Sequence, residues 1–103
     1  MHQVTENVFV ETGFRGCNPG FLVTSEGLVL IDTPFRPTDG AGYKNALEKY
    51  GPVKYLINTE PHFDHISSNF LFDATYVAQQ GTRERMADCA TTTLLPVLLQ
   101  HIL

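Results

Sequence analysis

Several things are scarce in this chain, and each scarcity removes a class of function. Lys and Arg number seven against eleven Asp and Glu, for a net charge of −4, and no basic run occurs. A phosphate-tracking surface is therefore not expected, and nucleic acid is set aside as a partner. No stretch reaches the ~20 apolar residues that a membrane span needs, so no membrane partner is expected either. The opening "MHQVTENVFVETG" has no charged start followed by an apolar run. That predicts no secretory leader and a cytoplasmic location. Cys17 and Cys89 follow no metal or redox spacing and read as two reduced thiols. There is no G-x-S-x-G turn to expose a serine nucleophile and no phosphate-binding glycine loop. Ser67 and Ser68 adjoin His65, but a serine–histidine pair needs convergence in space, not adjacency.

What is present is enough for one globular domain. The 103 residues are 43% hydrophobic and 17% charged, which supports a single core over 1–103 and not two. Val4, Val8 and Val10 share one side of a period-two segment, so residues 3–11 are expected as a strand. A Gly- and Pro-rich loop follows. "FLVTSEGLVLID" reads as a hairpin turning at Ser25, Glu26 and Gly27, with Gly27 free to take a positive φ. Residues 28–31 are uniformly apolar, which suggests a strand buried on both faces and ending at Asp32.

Thr38 or Asp39 is then placed to cap a helix. Tyr43, Ala46, Leu47 and Tyr50 form its apolar stripe, and Gly51 and Pro52 end it. Residues 53–57 make the next strand. Strand, helix, strand implies a crossover with parallel neighbours. Sites in such sheets gather beyond the carboxyl ends of the strands, which puts Asp32 and the loop after Ile57 on one rim. Residues 66–72 are expected as a short helix, 75–78 as a strand, and Thr82 as the cap of a helix reaching about Cys89. The segment 94–103 carries seven Leu, Val or Ile residues. A helix from about Leu95 fits there, docked on the core or on another subunit, or else the apolar segment marks a truncation point.

The chemistry concentrates in "NTEPHFDHIS". Glu60, His62, Asp64 and His65 offer imidazole nitrogen and carboxylate oxygen within six positions. These are the donors that zinc and related ions take, and loop spacing of one or two residues lets them converge on one point. Asp32 reads equally as a turn former at the strand end or as a hydrogen-bond partner that orients a ligand. His2 and His101 stand alone near the termini and are read as solvated, with His101 a ligand only if the tail folds back.

"LVLIDTP", then a helix, a strand and "NTEPHFDH", resembles the metallo-β-lactamase-fold hydrolases. Their signature is T-H-x-H-x-D-H after a strand. Thr59, His62, Asp64 and His65 match it, Glu60 stands in place of the first histidine, and the likeness runs from about Val4 to Met86. The resemblance implies an α+β fold, an αββα sandwich of two similar halves, of which this chain supplies about the first. It implies that His62 belongs to a first metal site, that Asp64 and His65 belong to a second, and that Asp64 orients the attacking water. The implied cofactor is zinc, with iron or manganese as alternatives because Glu60 is an oxygen donor. The implied activity is hydrolysis of a small-molecule ester, thioester, lactone, lactam or phosphoester. Self-association or a C-terminal half would complete the site. The alternatives are a non-catalytic metal-binding or assembly module and, third, an iron redox protein.

Overall fold

The computed structural model describes residues 1–89; the expected tail helix, segment 94–103 and His101 lie outside them. Among the described residues, six strands form one sheet whose spatial order is the chain order. They are β1 (His2–Gln3), β2 (Val8–Val10), β3 (Gly20–Thr24), β4 (Gly27–Ile31), β5 (Val53–Asn58) and β6 (Thr75–Ala78). Three helices accompany them, α1 (Pro37–Leu47), α2 (Phe63–Ile66) and α3 (Gln80–Cys89). The first four strands pair antiparallel, while β4, β5 and β6 run parallel.

The hairpin of β3 and β4 closes at Ser25 and Glu26, with Thr24 opposite Gly27, and Gly27 takes a φ of 128°. The expected positive φ is thus present, a conformation open to glycine because it lacks a Cβ. The single strand expected over 3–11 is instead two strands. Polar residues intervene, with the Asn7 amide donating to Thr5 Oγ1 at 3.4 Å, and the Val4 amide bonding back to Val8 O at 2.8 Å. Local side-chain bonds of this kind offer the backbone a turn instead of an extended ladder.

Helix α1 begins at Pro37, not after Thr38 or Asp39, and Arg36 occupies the cap position without a side-chain bond. Proline is well suited to the first helical position, where its missing N–H has no partner to lose. Tyr43 and Leu47 are buried as expected, Tyr50 packs at the edge of the core, and Ala46 is exposed. Gly40 takes the remaining buried position. A Cβ there would collide with Ser68 Oγ and stand 2.6 Å from Ser68 Cβ. A short 3-10 turn over Glu48–Tyr50 continues α1 and stops at Gly51.

The core lies between one sheet face and α1. Phe21, Leu28, Leu30 and Leu56 from the strands meet Tyr43, Leu47 and Phe72. Phe9 stacks on Phe21 with centroids 4.9 Å apart, and Tyr50 tilts against both rings. Burying each large apolar side chain contributes about 1.5–3 kcal/mol, so these contacts fix which face turns inward. The other face holds Val8, Leu22, Val29, Ile31 and Ile57, all half-buried, with Tyr55 and Val77 exposed. The reading of residues 28–31 as buried on both faces is therefore corrected. Leu28 and Leu30 are buried, while Val29 and Ile31 alternate onto the more open face. Among the described residues, no helix is long and apolar enough to cross a membrane.

Candidate metal centre

The parallel pairing of β4 and β5 puts their carboxyl ends side by side, with Ile31 opposite Ile57. Asp32 leaves β4 with a φ of 60°, a left-handed conformation that Asp tolerates better than most residues. Its carboxylate is buried and turned toward the loop after β5. There the Thr59 amide donates to Oδ1 at 2.8 Å and the Thr59 hydroxyl donates to Oδ2 at 2.6 Å. His65 Nδ1 reaches the same Oδ2 at 2.8 Å. Asp32 is therefore a positioning group as well as the end of a turn. As acceptor to Nδ1–H, it leaves His65 Nε2 as the ring's outward-facing atom.

Nε2 faces carboxylates. Glu60 Oε1 lies 2.9 Å away and Asp64 Oδ1 3.8 Å away. Ligand atoms of Glu60, Asp64 and His65 all fall within 4.8 Å of one another. His62 approaches from the other side of Glu60, its Nδ1 3.1 Å from Oε1, and its side chain is the most exposed of the four. The structure thus brings Glu60, Asp64 and His65 to one point and links His62 to that point through Glu60. Two carboxylates and a tautomer-fixed imidazole suit a divalent cation. Burial pulls the His65 pKa down, but the Asp32 hydrogen bond and the charges of Asp32, Asp64 and Glu60 outweigh it and raise the pKa.

The cluster is not wholly a loop. His62 precedes the first residue of α2, and Asp64 and His65 sit on that helix's single turn. The helix expected over 66–72 is divided between α2 and a 3-10 turn at Asn69–Leu71. A buried polar network holds this segment. The His65 carbonyl accepts from the Thr33 amide at 2.9 Å and from Asn58 Nδ2 at 3.3 Å. Asn69 Nδ2 donates to Asn58 Oδ1 at 2.7 Å, and the Thr33 hydroxyl donates to Asn69 Oδ1 at 2.9 Å. Ser68 Oγ donates to Pro34 O at 2.6 Å, while Ser67 Oγ bonds Phe63 O. Both serines are occupied by backbone carbonyls. Thr33, Asn58 and Asn69 are not among the site residues read from the sequence, and Ser68 is weighed there only as a partner for His65. Their signal was a set of small polar residues flanking the cluster where the chain enters the core.

Cys17, Asp32 and His65 also offer ligand atoms within 4.8 Å of one another. This grouping is the poorer metal donor set. Without an ion, burial and the nearby charges of Asp32 and Asp64 push the Cys17 thiol up to about 12, and the thiol donates to Thr33 O at 3.3 Å. Asp32 and His65 Nδ1 are already bonded to each other. His2 lies on exposed β1, away from the cluster, and the Cys89 side chain is outside the described atoms. Helix α3 starts at Gln80, not after Thr82. Gln79 Oε1 accepts from the Thr82 amide at 3.2 Å and serves the role expected of Thr82.

Known proteins share this fold. Residues 12–85 match the family model of the metallo-beta-lactamase superfamily. A metallo-beta-lactamase from Cronobacter sakazakii superposes with a TM-score of 0.71 at 20% identity, over 84% of this chain and 37% of its own. A B3 metallo-beta-lactamase described as having an active-site glutamic acid superposes with a TM-score of 0.67 at 30% identity, over 81% and 34%. A stereoselective inverting sec-alkylsulfatase from Pseudomonas sp. gives 0.74 at 17% identity, over 89% and 16%. The chain therefore spans well under half the length of each of these structures. No curated protein is significantly similar in sequence. With the family model covering most of the chain and the same mixed α+β fold in the solved structures, the chain belongs to the metallo-beta-lactamase superfamily of metal-dependent hydrolases.

Proposed function

We propose that this chain carries the first part of the metal site of a metallohydrolase, with Glu60, His62, Asp64 and His65 as its ligands. The observation that carries the reading is the convergence of Glu60, Asp64 and His65 donor atoms, with the His65 tautomer set by Asp32. Glu60 reads as an oxygen ligand and not as a lost histidine. The 30% identical B3 lactamase, which its description says has an active-site glutamic acid, supports that choice. Zinc is the proposed ion, with iron or manganese as alternatives because Glu60 adds an oxygen donor. A bound ion supplies Lewis acidity toward the scissile group.

The chain's own residues do the rest. Asp32 holds the His65 ring, and Thr59 fixes the Asp32 carboxylate. Asp64, half-exposed beside Nε2, is placed to orient a water and accept its proton. The substrate is a small molecule with an ester, thioester, lactone, lactam or phosphoester bond. The remaining ligands and substrate contacts come from a C-terminal half or from a second copy of the chain. A non-catalytic metal-binding or assembly role is the second reading, and the exposed position of His62 outside the convergence of the other three donors favours it.

Elemental analysis of protein purified without added metal tests the proposal, beside a doubly substituted His62→Ala, His65→Ala control. Stoichiometric metal that disappears in the control is the expected result, and the element identifies the ion. Absence of metal after reconstitution with zinc, manganese and iron sinks the proposal.

A further inference from the structure

The proposed centre leaves Cys17 unused, although the thiol is buried beside it. Cys17 Sγ, a carboxylate oxygen of Asp32 and a ring nitrogen of His65 lie within 4.8 Å of one another. Bonds of about 2.0–2.3 Å let donors roughly 3.3–3.8 Å apart share one tetrahedral ion, so this spread closes with shifts of about an ångström or less. The donors come from the loop before β3, the end of β4 and α2, and backbone bonds hold each in place. The Cys17 amide donates to Asp64 O at 3.3 Å, the Asp32 amide to Ile57 O at 2.8 Å and the His65 amide to His62 O at 2.9 Å. The Thr59 amide and hydroxyl hold the Asp32 carboxylate. The thiol's own contact, a bond to Thr33 O at 3.3 Å, is given up with its proton.

Charge and softness say what this set would take. Cys17 and Asp32 are buried, and a thiolate with a carboxylate neutralises a divalent ion, as burial requires. The His65 side chain is 21% exposed and gives an ion its way in. His65 also faces both sets. Its Nδ1 stands 2.8 Å from Asp32 Oδ2, and its Nε2 stands 2.9 Å from Glu60 Oε1. The outer set adds two carboxylates to the ring, from Glu60 and Asp64. The inner set exchanges one of those oxygens for sulfur at the same formal charge, which shifts its preference toward softer ions. An ion on Nδ1 leaves the ring proton on Nε2, and Nε2 then has no lone pair for the outer ion.

We propose that Cys17, Asp32 and His65 Nδ1 form an inner site for a thiophilic divalent ion, and that filling it withdraws His65 from the outer centre. The thiol proton is released to solvent as the ion binds, and the ring proton exchanges from Nδ1 to Nε2. The inner site stands on its own geometry, while the competition rests on the metallohydrolase reading.

Cadmium is the probe, added to the full chain in a Cys89→Ser background so that Cys17 is its only thiol. The expected result is a stoichiometric thiolate-to-cadmium ultraviolet band that disappears in Cys17→Ser. Its midpoint should rise about ten-fold or more in Asp32→Asn and in His65→Gln, and stay nearly unchanged in Glu60→Gln. Two-dimensional ¹⁵N NMR of the cadmium-loaded protein should find the His65 proton on Nε2. Absence of the band overturns the proposal. So does a band whose midpoint ignores Asp32→Asn and His65→Gln, which is a lone thiol, or a ring proton that stays on Nδ1. Zinc affinity, read by competition with a chelator, separates the two readings. Cadmium that weakens zinc binding about ten-fold or more supports both, and zinc affinity indifferent to bound cadmium overturns the competition. A Cys17-dependent cadmium site in a chain that binds no zinc rejects the metallohydrolase and keeps the inner site, and the converse pattern does the reverse.

Discussion

Replacing Asp32 by Asn tests how the centre is oriented, because it changes one charge and almost no shape. Asn tolerates the left-handed φ of 60° that Asp32 adopts. Its oxygen can still accept from the Thr59 amide at the Oδ1 position. The new NH₂ then occupies the Oδ2 position, facing Thr59 Oγ1 and His65 Nδ1. The threonine hydroxyl rotates and accepts. The imidazole answers by moving its proton, so that Nδ1 becomes the acceptor and Nε2 carries the hydrogen. Nε2–H then donates to Glu60 and no longer offers a lone pair. Turning the amide over brings an NH₂ against the Thr59 amide, so that escape is closed. Loss of a charged acceptor costs about 1–2 kcal/mol of stability. Loss of the tautomer costs metal affinity about 10- to 100-fold, the usual effect of removing an orienting partner. Two-dimensional ¹⁵N NMR of the metal-free protein above the His65 pKa reads the tautomer, and competition against a chromophoric chelator reads zinc affinity. Refutation is simple. An Asp32→Asn protein with the proton still on Nδ1, or with zinc affinity within about two-fold of the parent, means that Asp32 does not set the ligand.

Two further predictions follow from the geometry. Gly40→Ala pushes a Cβ into Ser68 and to 2.9 Å from Leu71 Cδ1, so urea unfolding should show a loss of about 1–3 kcal/mol from overpacking. Because the pKa of His65 is raised in the folded chain, its proton stabilises the metal-free fold below the ordinary histidine value, and that stability is lost as pH rises through the raised value. The urea midpoint of the metal-free protein should therefore be higher near about pH 6 than near about pH 8.5, and the difference should shrink in His65→Gln.

The rim of the sheet was legible because two independent signals agreed on it. Two apolar runs each ended in a polar residue, and the intervening helix made their pairing parallel. That placed Asp32 near the histidines without any knowledge of side-chain geometry. The helix starts were less legible. Arg36 and Gln79 precede α1 and α3, where local propensity favoured Thr38, Asp39 and Thr82. Proline at the first helical position and a glutamine side chain performed the same work. Least visible was the bonding among Thr33, Asn58 and Asn69. These residues are far apart in the chain, and only the parallel pairing brings their amides and hydroxyl together. Sequence showed which residues could bind an ion, but not that Glu60, Asp64 and His65 would meet while His62 stood further out.

The clasp of Asp32 with Thr59 and His65 joins residues 27 and 33 positions apart. It bridges two strands that can pair only after the whole α1 connection has been closed. Closing such a loop costs entropy before any of its contacts return free energy. The donors Glu60, His62, Asp64 and His65 are neighbours in the chain and need no such closure to meet. What waits for β5 to settle beside β4 is the orientation of His65, because its Asp32 partner comes from the far side of the α1 connection. The donors are local, and their alignment is the property of the finished sheet.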